Sequence, residues 1–373
     1  MIDTVIISIP KDKVVNVLYP NSDTLGWHQQ ATGHSYKKFV KNASKQDKET
    51  GLYFPRLTGI KRKDEGQIEA FINVEFSIPK LIFMNNLDEV EDKDFQLVIE
   101  TLKDRLLRMG IAVPEKYIRY APISVVHYSK NLLLKDGYTS QFVINELNKI
   151  DLRKSFDFTK TRFMNEGQSI YAYTISHSLV IYDKIADLKK DSKRAIDKDQ
   201  TFYQKSLFDE IKKKDLYEVI RLEIRLSKKY KMNSVLKSLG FKENPNFEEI
   251  FNKKIAQSVA NHYWKTLVKN NSLFLFSFTI GPKDILKHIF IANPKLKPKQ
   301  AIYLANLINT TKDGGMRDLR SILVKYSDVR TWYRTKKDIK KVTDLLKKVR
   351  PQDWFDQIEK GLNNFDTFRK NGP

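Results

Sequence analysis

From residue 1 to about residue 280 the apolar side chains give mixed signals, recurring at every second position in some segments and at every third or fourth in others; beyond Lys231 almost all of the spacing is helical. Period two marks a strand with one buried face, and a repeat near 3.6 marks an amphipathic helix. Residues 1–9 read as a strand. In QIEAFINVEFS, Val74 and Phe76, with Ile78 just beyond, share one face, and Asn73, Glu75 and Ser77 share the other. Residues 92–109 carry Phe95, Val98, Ile99, Leu102, Leu106 and Leu107 at helical spacing and stop at Gly110, a natural helix terminator. Residues 117–128 are β-rich, with Pro122 pointing to an edge or a bend. Thr139 or Ser140 can cap a helix to about Ile150.

Two strands, 168–174 and 177–183, meet near Ser176, and a polar, Lys-rich stretch follows to about residue 214. The cleanest alternation is YEVIRLEIRL, with Ile220, Leu222, Ile224 and Leu226 on one face and Arg221, Glu223 and Arg225 on the other. Beyond Lys231 the spacing predicts helices over 231–239, 246–270, 282–292, 297–310, 313–326 and 337–348, punctuated by Pro294, Pro298, Gly314-Gly315 and Pro351. The expected architecture is α+β. A central antiparallel sheet with helices on one face spans 1–240, and a basic all-α domain spans 241–373.

Charge sharpens this picture. The 373 residues carry 67 Lys+Arg against 45 Asp+Glu, a formal net charge of +22. Residues 1–150 are nearly balanced, with 21 basic and 19 acidic side chains, whereas residues 281–373 carry 21 and 10. A neutral core joined to a basic arm points to a nucleic-acid partner. The chain has no cysteine, which excludes a disulfide framework, a thiolate metal site and a thiol nucleophile. The start lacks a signal-peptide pattern, and the most apolar run, SLFLFSFTI (272–280), is far shorter than the ~20 residues of a membrane helix. A cytoplasmic protein with no membrane partner is expected.

Candidate chemistry is sparse. Glu75 and Glu223 each centre a polar strand face, where a carboxylate is usually solvated or paired to an arginine such as Arg221 or Arg225; alternatively, several strands aim oxygen ligands at one hard cation. IYAYTISHSLVIYDK offers Tyr171, Tyr173 and Tyr182 as nucleophiles, although tyrosine is also a common strand residue. Tyr182 differs in having Lys184 two positions on, where it can offset phosphate charge; a phenol with a reference pKa near 10 needs such help. His127 shares a face with Val125 and Ser129. No phosphate-binding glycine loop, nucleophile elbow or zinc-protease motif occurs.

Five segments, in order, resemble the replication initiators of filamentous phages (the gene II protein family) and, more distantly, the transposase-like rolling-circle initiators of plasmids. They are MIDTVIISIP, INVEFSIPKLIF, ISVVHYSKN, HSLVIYDK and VIRLEIRLSKKYKMNSVLKSLG. The similarity runs to about residue 240. It implies a DNA endonuclease and strand transferase in which Tyr182 attacks a phosphate at the replication origin and becomes linked to the 5′ phosphate. Lys184 would lie beside that phosphate. Glu75, His127 and Glu223 would face Mg²⁺ or Mn²⁺, and Arg221 and Arg225 would contact DNA. His127 stands where the family has Asp, a substitution that favours a transition metal, or marks lost activity. The same resemblance implies a host helicase and a single-strand-binding protein as partners. Lys297, Lys299, Arg317, Arg320, Arg334, Lys336 and Lys337 would then grip duplex phosphates. Trp332 and Tyr333 either stack on bases or pack at a helix end. The rival expectation is a DNA-binding protein without catalysis.

Overall fold

The computed structural model describes residues 1–16, 27–32, 36–44, 47, 49–64, 67–150, 160–164, 169–188, 218–270, 281–346 and 353–369. The polar stretch 189–214 and the apolar run 272–280 lie outside the described residues. The described strands are β1 (Ile2–Pro10), β2 (Val15–Asn16), β3 (His28–Thr32), β4 (Tyr36–Lys41), β5 (Arg56–Asp64), β6 (Gln67–Ser77), β7 (Ile111–Ala112), β8 (Ile123–Leu134), β9 (Lys160–Met164), β10 (Ser169–Tyr173), β11 (His177–Asp183) and β12 (Glu218–Leu226). All but β2 and β7 form one antiparallel sheet in the order β3-β4-β5-β6-β1-β8-β12-β11-β10-β9.

The strongest alternations occupy the middle of this sheet, where one face must be fully dry. Val5 and Ile7 of β1, Val74 and Phe76 of β6, Val126 and Tyr128 of β8, and Leu222 and Ile224 of β12 are all buried in a single core. Helices cover that face: α1 (Ile78–Phe83), α2 (Phe95–Arg108), α3 (Glu115–Arg119), α4 (Ser140–Asn148), α6 (Lys229–Ser238), α7 (Phe247–Ile250) and α8 (Lys253–Asn270). A short α5 (Lys184–Leu188) follows β11 directly. Gly110 ends α2 with φ of 80°, and the Thr139 side chain accepts from the Phe142 N–H to cap α4, as the sequence predicts.

Two expectations change. Residues 115–119 are helical rather than extended, and Pro122 does not mark an edge. It stands just before β8, a central strand, where its missing N–H costs nothing and its carbonyl accepts from the Ser8 N–H at 3.0 Å. The division at residue 240 follows the change in secondary structure but not the packing. α8 and α12 (Asp353–Asn364) belong to the sheet core, through Val259, Tyr263 and Trp264 and through Trp354, Ile358 and Leu362. A Cβ on Gly361 would lie 2.6 Å from Leu132 Cδ2, so glycine lets α12 lie directly on β8.

Between these two helices, α9 (Pro282–Ala292), α10 (Pro298–Tyr326) and α11 (Val329–Leu346) form a second core around Ile285, Leu304, Ile308, Trp332 and Ile339. The Gly314-Gly315 punctuation appears as a kink within α10: Gly315 has φ of 77° and ψ of −176°. There the Met316 N–H donates to the Lys149 carbonyl at 3.0 Å, joining this helical lobe to the end of α4. Among the described residues no helix is long and apolar enough to cross a membrane.

Candidate active site on the polar face of the sheet

Antiparallel register assembles the site from four strands. β11 and β12 place Tyr182 opposite Arg221 and Val180 opposite Glu223. β12 and β8 place Glu223 opposite Ser129 and Arg225 opposite His127. These side chains occupy the face away from the helices, as alternation with the buried Leu222 and Ile224 requires. β1 contributes one more group through a bulge. Ile2 pairs with Tyr128 and Thr4 with His127, leaving Asp3 as an extra residue whose carboxylate turns toward β12.

The Tyr182 hydroxyl donates to Glu223 Oε2 at 3.4 Å. The other oxygen, Glu223 Oε1, accepts from Arg225 Nε at 2.8 Å and lies 4.0 Å from His127 Nδ1. Arg221 aims both terminal nitrogens at groups within the protein, Nη2 at Asp3 Oδ1 and Ser129 Oγ, both at 2.8 Å, and Nη1 at the Asn86 carbonyl at 2.6 Å, while its buried Nε has no hydrogen-bond partner among the described residues. At 2% exposure it positions neighbours, and the expected DNA contact through Arg221 is corrected on that ground. Lys184 begins α5 and is fully buried. Its Nζ lies 3.7 Å from Asp187 Oδ2 and 5.7 Å from the Tyr182 ring centroid, and makes no hydrogen bond among the described residues.

The electrostatics follow from burial and these pairings. Burial, reinforced by Glu223, pushes the Tyr182 phenol well above its usual range, so it rests protonated. Burial also acts to raise Glu223, but Arg225 and Arg221 outweigh it and hold the carboxylate below its ordinary value. Asp3 is likewise pushed up by burial and pulled down further by Arg221 and Lys184, to about 2. Burial, then Arg221, lowers Lys184 to about 8. His127 is lowered chiefly by burial and is a neutral imidazole near pH 7. Three cations, Arg221, Arg225 and Lys184, thus surround a neutral phenol, the buried Glu223 carboxylate and the half-buried Asp3 carboxylate.

The other predicted residues stand apart. Glu75 shares the polar face, but its β6 position pairs with Ile6 of β1 and Arg56 of β5. β6 lies three strand spacings from β12, about 14 Å across the sheet. Two of the three expected metal donors, His127 and Glu223, therefore meet. Among the described residues no group of three or more His, Cys, Asp or Glu could hold a metal ion. The donor set does not fit a three-ligand cation. Tyr171 and Tyr173 lie on β10, on this same face.

In the lobe, Lys297, Lys299, Arg334 and Lys337 are exposed, and Arg317, Arg320 and Lys336 are half-buried. Trp332 is core, 1% exposed with the Arg320 guanidinium 6.0 Å from its ring centroid, which corrects the base-stacking alternative for that residue; Tyr333 is 42% exposed. Sequence reasoning missed Asp3, Ser129 and the buried pair Glu89–Lys130, whose 2.5 Å contact braces β8. Only the acidic third position of the opening strand hinted at any of them. Comparison with known protein families, with curated proteins and with solved structures finds no match to this chain.

Proposed function

We infer that the protein is a rolling-circle replication initiator, an endonuclease that nicks origin DNA and holds the 5′ end as a phosphotyrosine. The observation that carries this reading is the Tyr182 hydroxyl, hydrogen-bonded to an ionised Glu223 carboxylate and ringed by Arg225 and Lys184. In the proposed step a bond forms between Tyr182 Oη and phosphorus and the bond from phosphorus to O3′ breaks. The phenolic proton passes to Glu223, and the leaving O3′ takes a proton from the Lys184 ammonium. Arg225 offsets charge on the non-bridging oxygens, where fixed cations act most strongly in a water-poor site. Phosphotyrosine conserves the phosphodiester linkage, so resealing needs no ATP.

The basic lobe would hold duplex origin DNA while the sheet works on a single strand, with a host helicase and single-strand-binding protein completing a cytoplasmic replication complex. The test is a denaturing gel of labelled single-stranded DNA from the protein's own replicon, incubated with protein and Mn²⁺ or Mg²⁺. A covalent band lost in Tyr182→Phe is expected; a band that persists in that variant removes Tyr182 as nucleophile. A second reading, a DNA-binding repressor without chemistry, is favoured by the unassembled third metal donor. Tight duplex binding with no covalent band under either ion would establish it.

A further inference from the structure

Next to the Tyr182–Glu223 pair, two tyrosines form a second feature that the nicking step leaves unused. Tyr171 and Tyr173 project from the same side of β10, with ring centroids 4.7 Å apart and planes inclined by only 17°. Register puts Tyr171 opposite Val180, itself opposite Glu223, and puts Tyr173 opposite Ser178. The Arg225 guanidinium lies 5.8 Å from the Tyr171 ring centroid while its Nε holds Glu223. A single arginine therefore links the reacting carboxylate to an aromatic stack. On the far side, β9 sets Arg162 opposite Tyr171 and Lys160 opposite Tyr173, so the strand flanking the stack is basic by sequence.

The stack ends at a stiff turn. Thr174, Ser176 and His177 are tied together by hydrogen bonds of 3.0 to 3.1 Å among Thr174 Oγ1, Ser176 Oγ and His177 Nδ1. The Ser227 N–H donates to the Ser176 carbonyl at 2.9 Å, anchoring the turn to the end of β12. This braced turn carries Ile175 87% exposed, the most exposed large apolar residue described. Half-buried aromatic rings beside a cationic group, next to the exposed Ile175, suit the flat faces and charged backbone of an unpaired strand. A duplex hides its base faces and cannot use them.

We propose that Tyr171 and Tyr173, with Arg225 behind them and Ile175 at the tip, form a stacking platform for the bases flanking the scissile phosphate in single-stranded DNA. The platform fixes the strand's path so that its phosphate reaches Tyr182. The choice of DNA rests on the nicking reading; the stacking chemistry does not.

The experiment measures affinity of the full chain without metal, by fluorescence anisotropy, for labelled dT20, for U20 and for a 20-base-pair duplex. Stacking contributes about 1–3 kcal/mol per base, so Tyr171→Ala and Tyr173→Ala should each weaken dT20 binding about 5- to 150-fold. Duplex affinity should stay within twofold, because the lobe supplies it. Tyr173→Phe keeps the ring and should bind dT20 like wild type; it guards against an alanine variant that merely unfolds. Ile175→Ser should weaken dT20 binding several-fold. Unchanged dT20 affinity in folded alanine variants overturns the platform. If wild type still forms the Tyr182 adduct in that case, the nicking reading stands without it. Tighter binding of U20 than dT20 overturns the assignment to DNA, and no single-strand binding at all overturns both readings.

Discussion

Removing the Glu89 carboxylate should unfasten the sheet from the last described segment of the chain. Glu89 is 4% exposed and Lys130 is 2% exposed. Glu89 Oε2 accepts from Lys130 Nζ at 2.5 Å and from the Phe368 N–H at 3.0 Å, while Oε1 accepts from the Asn131 N–H at 2.5 Å. Lys130 also donates to the Asp366 carbonyl at 2.5 Å. Glu89→Ala leaves a buried ammonium without its counter-charge and strips two backbone N–H groups of their acceptor. Breaking a buried pair costs about 3–5 kcal/mol, and this site sits at the upper end because of the orphaned donors. Glu89→Leu combined with Lys130→Met removes both charges and should recover at least about 1.5 kcal/mol relative to Glu89→Leu alone. The assay is urea unfolding followed by tryptophan fluorescence, to which Trp264 and Trp354 of the sheet core contribute. The pair also fixes a pH signature. Burial acts to raise Glu89, but Lys130 and the buried N-terminal amine outweigh it and hold the carboxylate below its ordinary 4.5. The stabilisation is therefore complete above that value and fades as pH falls through the depressed one, so the gap between wild type and Glu89→Gln should narrow in acid. A loss under about 1 kcal/mol for Glu89→Ala, or a gap that widens in acid, would refute the clamp.

Three further outcomes follow from the site and the lobe. With Lys184 lowered to about 8, the rate of adduct formation should fall as pH rises through 8, and Lys184→Arg should carry that limb upward in a stopped-time pH profile; a profile flat to pH 9.5 counts against an ammonium proton donor. Because a lysine held below its free value of 10.5 destabilises the fold at neutral pH, Lys184→Met should gain up to about 3 kcal/mol at pH 7, a gain that vanishes as pH rises from 8 to 10.5. Gly315→Ala would place a Cβ 2.5 Å from Lys149 Cβ and 2.6 Å from its carbonyl at a φ of 77°, and should cost more than about 2 kcal/mol with faster proteolysis between lobe and sheet. Gly137→Ala, at φ of 79° with nothing within 4 Å, isolates the backbone contribution, and equal costs at both glycines would show that the contact with Lys149 is unimportant.

Much of this fold is legible where alternation meets a dry face. β12 can be read letter by letter, because Ile220, Leu222, Ile224 and Leu226 join the helix-covered core while Arg221, Glu223 and Arg225 do not. β3 and β4, HQQAT and YKKFVK, could not be read this way, since an outer strand lacks the burial that enforces period two. α12 did carry a signal, Trp354, Ile358 and Leu362 at four-residue steps, which the surrounding polar residues obscured. For the site, strand patterning put Glu75 and Glu223 on polar faces, and the family resemblance added His127 and Tyr182, but neither could order the strands. Only strand order separates Glu75 from the others. Asp3 was illegible for a different reason: a bulge, not alternation, turns its carboxylate inward.

The kinship between α8, α12 and the sheet has a consequence for how the molecule can be cut. The chain leaves the sheet core after α8, builds the helical lobe, and returns through α12 to the central strand β8. The lobe is thus an insertion, tethered at both ends and touched a third time at Lys149. Truncation after residue 280 would not release an intact sheet domain; it would strip Trp354, Ile358 and Leu362 from the core and expose β8. Excision of 281–346, with a short linker joining α8 to α12, is the dissection that respects the packing. If the lobe grips duplex DNA as proposed, a grip anchored in this way would transmit strain to the sheet directly, because the lobe is a loop of the chain and not an appended tail.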